Sequence, residues 1–92
     1  MTDIAGLVER LEAATGPDNA LDMEIEMALF KPDERHVSVR ANAAGTKLIY
    51  TRADGKTDTH WAFDHTLNAF TQAAARAELR ALKALEQKAT AP

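Results

Sequence analysis

The dipeptide Asp54-Gly55 constrains this chain more than any other feature. Asp-Gly between two alternating apolar runs is a strong hairpin signal, because a two-residue turn needs positive φ at both positions. On its N-terminal side lies Lys47-Leu-Ile-Tyr-Thr-Arg52, a run with an apolar centre. On its C-terminal side Thr59, Trp61 and Phe63 alternate with Asp58, His60 and Ala62, which predicts a strand over roughly 57–63. Upstream, Val37 and Val39 alternate with Ser38 and Arg40, and Asn42-Ala-Ala-Gly45 turns the chain back. Three such runs in succession predict an antiparallel meander. A sheet this small cannot cover its own faces, so helices must pack on at least one of them.

The apolar period becomes helical on both sides of the meander. Ile4, Leu7, Val8 and Leu11 fall at i, i+3, i+4 and i+7. Thr2 or Asp3 caps this first helix and Gly16-Pro17 stops it. Pro17 and Asp18 open a second helix with Leu21, Ile25, Ala28 and Leu29 on one face, ended by Lys31-Pro-Asp-Glu34. Asp64 is the expected N-cap of a last helix whose stripe is Leu67, Phe70, Ala74, Ala77, Ala81, Leu82 and Leu85. The predicted fold class is α+β in the order ααβββα, as one domain over residues 1–92.

Composition narrows the chemistry. The chain has no cysteine, which excludes disulfides and thiolate metal sites. No basic region followed by an apolar run stands at the N-terminus, and no apolar stretch approaches a membrane span, so a cytoplasmic protein is expected. The net charge of −3 is unevenly spread. Residues 1–30 carry seven acids against the single base Arg10, whereas 31–60 sum to +2 and 61–92 to +1. Glu9, Glu12, Asp22 and Glu26 form the expected acidic partner-binding face.

Catalytic machinery is not visible. His36, His60 and His65 are the neutral-pH acid–base groups, and the five-residue spacing of the last two matches no common metal pattern. His36 meets His60 only if strands one and three are neighbours, which the hairpin order disfavours. Gly55-Lys56-Thr57 resembles the end of a phosphate loop, but the glycine required five residues earlier is Tyr50, and a strand follows instead of a helix. Ser38, the lone serine, lies in a predicted strand without a glycine elbow. The expectation is a non-enzymatic chain with no catalytic, cofactor or metal site.

Two features ask for a partner. Helix two is apolar on two sides, with Met23, Met27 and Phe30 nearly opposite Leu21, Ile25 and Leu29. The expectation is that the second stripe joins two copies of the chain, with internal burial in a small sandwich, or coverage by helix one inside a monomer, as the competing accounts. On the last helix, Arg76, Arg80 and Lys83 are expected opposite the apolar stripe as a basic ridge, with Glu78 oddly inside that stripe. Together with Arg40, Lys47 and Arg52 this ridge gives an alternative: a nucleic-acid-binding accessory protein. Three charges are few for tight binding, and no aromatic residue interleaves with them to stack bases.

The block Leu7-Val-Glu-Arg-Leu-Glu-Ala-Ala-Thr-Gly-Pro-Asp-Asn-Ala-Leu-Asp-Met-Glu-Ile-Glu-Met-Ala-Leu29 resembles the opening of small phage and prophage proteins of the phage ABA sandwich group. The middle departs from that group, whose Tyr-Thr-x-Ser segment survives at most as Tyr50-Thr51, and the alanine-rich close is similar only in composition. The resemblance implies a phage setting and a helix–sheet–helix layering, and it carries over no catalytic residue. Combined with small size and polarised charge, it points to a phage interaction protein in the host cytoplasm. An inhibitor of a bacterial defence complex, of the anti-CRISPR kind, is its concrete form, occluding a surface of a host protein.

Overall fold

The computed structural model describes residues 3–90 and has the α+β order expected: α1 (Ile4–Ala13), α2 (Asn19–Leu29), β1 (His36–Ala41), β2 (Leu48–Arg52), β3 (Thr57–His60) and α3 (Ala69–Thr90). Thr2, one of the two candidate caps of α1, lies outside the described residues. The other, Asp3, accepts the Gly6 N–H at 3.0 Å. Asp18 caps α2 in the same way, accepting the Leu21 N–H at 3.1 Å. Each such cap satisfies an N–H that the helix itself cannot, and contributes about 1 kcal/mol.

The strands pair antiparallel in the order β1-β2-β3. The hairpin at Asp54-Gly55 is present, with a different loop from the one predicted. Gly55 has φ +88°, but Asp54 does not share the positive φ that a two-residue turn requires. The Gly55 N–H instead donates to the Arg52 carbonyl at 3.0 Å, and the Arg52 N–H to the Lys56 carbonyl at 2.7 Å. Ala53, Asp54 and Gly55 therefore form a three-residue loop with glycine at its left-handed position. Strand β3 also stops earlier than its alternation predicts. Its last paired residue, His60, lies opposite Leu48, the first residue of β2, so no strand remains for Trp61–Phe63 to pair with.

Helix α2 is the middle layer. On one side Leu21 and Ile25 join Ile4, Leu7 and Leu11 of α1 and Ala75 and Leu79 of α3 in the main core. On the other side Met23 packs against Leu48 and Ala62, with Met27, Val39 and Tyr50 around them, and the Phe30 ring lies 6.1 Å from that of Tyr50. The Met23, Met27, Phe30 stripe is thus no intersubunit surface. The chain's own sheet covers it, which is the internal burial weighed against an interface and not a cover by helix one, and Met23 is only 3% exposed. The layers run sheet, α2, then α1 with α3, in place of the implied helix–sheet–helix order.

Helix α3 begins at Ala69, not after Asp64. Asn68 accepts the Thr71 N–H at 3.0 Å and donates its own N–H to the Thr71 hydroxyl at 3.1 Å, a reciprocal cap that Asp64 cannot make from its position. Its docked face also differs from prediction, being centred on Ala75 and Leu79 with Leu82 beside them. Glu78 is consequently exposed and no longer anomalous.

Candidate functional site

The segment between β3 and α3 is fastened to α2 by buried polar groups. Thr66, fully buried, accepts the Asp18 N–H on its hydroxyl at 2.7 Å and donates its own N–H to Asp22 at 2.9 Å. His65 Nε2 lies 2.5 Å from Glu26. Burial pushes the Asp22 carboxyl above the usual aspartate value, while the Thr66 N–H pulls in the opposite direction. The Tyr50 hydroxyl is raised by burial first and by the neighbouring Glu26 second. Two of the four predicted acidic-face residues are therefore fold-holding groups. Asp22 is 2% exposed, which removes it from any partner, because its carboxylate is needed by a backbone N–H on the facing segment.

The remaining charges are partly paired between the predicted acidic face and the predicted basic ridge. Glu12 of α1 accepts from Arg80 of α3 at 2.8 Å, so one member of the acidic face neutralises one member of the basic ridge. Arg10 pairs with Glu24 at 2.5 Å, and Glu9 stays exposed. Arg76 and Lys83 are half-buried at the margins of the docked face instead of opposite it. The ridge is dispersed because the docked face is rotated towards it.

The histidines are split between two places. His36 and His60 flank the Tyr50 ring at 5.3 and 5.9 Å, held apart by β2. Asp58 binds His36 Nε2 at 3.0 Å and lies 3.4 Å from Arg52 Nε, and its carboxyl is held below the ordinary value chiefly by the His36 hydrogen bond. Arg52 is thereby turned to the α2 side of the sheet, away from Arg40 and Lys47. Among the described residues no group of three or more His, Cys, Asp or Glu side chains could hold a metal ion. Lys56 sits at the end of the hairpin loop and Thr57 opens β3, and Ser38 lies exposed on β1.

Among the described residues two surfaces remain uncovered. One is the outer side of α3, where Phe70 is 84% and Leu85 57% exposed with Ala74, Ala77 and Ala81 open between them, and Phe63 and Leu67 precede the helix start. Most of the stripe that the sequence suggested for docking α3 thus faces solvent, whereas its member Leu82 packs against the main core. The other is the side of the sheet away from α2, where the Lys47 ammonium lies 4.8 Å from the centre of the 65%-exposed Trp61 ring. Sequence reasoning missed Trp61, Thr66 and Leu79. The Asn68–Thr71 pair was the available signal for the true start of α3. Among the described residues no helix is long and apolar enough to cross a membrane. No protein-family model matches the chain, and no curated protein or solved structure matches it either.

Proposed function

We propose that this chain is a small non-enzymatic interaction protein that works by occupying a surface of another protein. Its concrete form is a phage-encoded inhibitor of a bacterial defence complex, of the anti-CRISPR kind, acting in the host cytoplasm. The observation that carries the reading is the outer side of α3. Phe70 and Leu85 stand about 22 Å apart along it, from the helical rise. The alanines between them leave the helix backbone open to close approach by a partner. Small monomers seldom leave such a surface uncovered. Burying the two large side chains contributes about 1.5–3 kcal/mol each before the entropic cost of association. The N-terminal block that resembles phage proteins supports the setting.

The test is a plasmid-interference assay in a host with an active defence complex. Expression of the wild-type chain is expected to restore plasmid survival, and the double substitution Phe70→Ser, Leu85→Ser to abolish that protection with the chain still folded. Protection unchanged by the double substitution, or absent with the wild type across the defence systems tried, would count against the reading.

A further inference from the structure

The uncovered side of the sheet has a composition of its own. Leu48 and Tyr50 point towards α2, so by strand alternation Lys47, Ile49 and Thr51 point the other way. The register aligns Arg40 and Thr59 with Ile49, and Ser38 and Thr57 with Thr51. Trp61, one residue past β3, lies beside Lys47. This face therefore presents two cations, four hydroxyl side chains, one apolar centre and one aromatic ring, and none of its residues is acidic. The acid of β3, Asp58, is on the opposite side, engaged by His36 and Arg52.

We infer that this face binds single-stranded nucleic acid, independently of the α3 surface. Strand spacing and rise put Arg40 and Lys47 about 8 Å apart on neighbouring strands, suited to successive phosphates of one backbone. One side of the Trp61 ring faces the Lys47 ammonium, and its wide exposure leaves the other available to a base. Ile49 floors the space between, and the hydroxyls of Thr51 and Thr59 flank it. An acidic polypeptide satisfies the two cations as well, but it brings no flat ring for Trp61. The combination of cations with a stacking platform is the chemistry of a single strand. Two phosphate contacts give weak, salt-sensitive binding, with a slope of log K against log salt of about −1.4.

Trp61 is the only tryptophan, so its fluorescence reports on the site directly. Titration at low salt with a short oligothymidylate is expected to quench it saturably, and a fourfold rise in salt to weaken binding about sevenfold. With a labelled oligomer read by anisotropy, Trp61→Ala should lose about tenfold or more while Trp61→Phe retains most of the affinity. The double reversal Arg40→Glu, Lys47→Glu should remove binding, with circular dichroism verifying the fold. No quenching by the oligomer, equal quenching by polyglutamate, or undiminished binding of the double reversal would overturn the assignment.

Discussion

Helices α2 and α3 both carry large apolar side chains on two sides, yet only α2 has both sides covered. In α2, Leu21 and Ile25 meet the other helices while Met23 meets the sheet, so a helix with two stripes becomes the middle of three layers. In α3, Ala75 and Leu79 suffice for docking, and Phe70 and Leu85 are left outside. Two apolar stripes on a helix therefore have two physical meanings, an interior position or an unfilled surface. Which applies depends on whether a second element of the same chain arrives on the other side.

The largest difference between the two sides of α3 is expected in the core. Leu79→Ala is expected to cost about 2–5 kcal/mol in a urea titration, since a fully buried leucine leaves a cavity where three helices meet. Leu85→Ala, on the outer side of the same helix, should stay within about 0.5 kcal/mol. Comparable losses at both positions would mean that α3 is covered on both sides after all.

The fastening of α2 to the 62–68 segment comes next. Asp22→Ala leaves the buried Thr66 N–H without its acceptor and should cost about 1–3 kcal/mol, whereas Asp22→Asn keeps an acceptor and should cost less. The pH dependence has a definite sign. Because burial raises Asp22 in the folded chain, the folded state binds the extra proton. Stability should then fall as pH rises from the ordinary aspartate value through the raised one, and Asp22→Asn should flatten that slope. Asp33 and Asp58, both lowered, act in the opposite sense. Their contribution is present above the ordinary aspartate value and is lost as pH falls through their lowered values. Unfolding titrations across the acid range separate the two behaviours.

Smaller effects follow at the surface. Gly55→Val should cost about 1–2 kcal/mol through its left-handed backbone, and a wild-type midpoint would argue against the loop as described. A double-mutant cycle on Glu12 and Arg80 should give a coupling of about 0.2–1 kcal/mol that fades with salt, since both groups are exposed. A larger coupling would make the α1–α3 pairing more than a surface contact.

What could be read in advance follows how much volume each pattern commits. Ile4, Leu7 and Leu11 are large, so their spacing identified the docked face of α1 without ambiguity. Both stripes of α2 were legible for the same reason, but a stripe does not say which element will meet it. In α3 the alanines at 73, 74, 75, 77 and 81 satisfy either assignment, because alanine is nearly as acceptable exposed as buried, and one leucine decided the rotation. Trp61 and Phe63 continued the alternation of β3, yet strand length was set by where β2 begins. Thr66 gave no signal at all. Its burial depends on Asp18 and Asp22, 48 and 44 residues away, and only the tertiary fold brings those partners to it. For the surfaces, Lys47 and Arg40 were visible as charges, but their pairing with Trp61 on one side of the sheet required the register.

The asymmetry between the two helices is tested most directly by urea unfolding of Met23→Glu alongside Phe70→Glu. Met23 is sealed between α2 and the chain's own sheet, so a carboxylate there must be desolvated with no cation to pair with and only the Asn19 amide beside it. Phe70 already faces water. Met23→Glu is expected to lose the cooperative transition while Phe70→Glu keeps the wild-type midpoint. A cooperative wild-type transition in Met23→Glu, or a collapsed one in Phe70→Glu, would contradict that asymmetry.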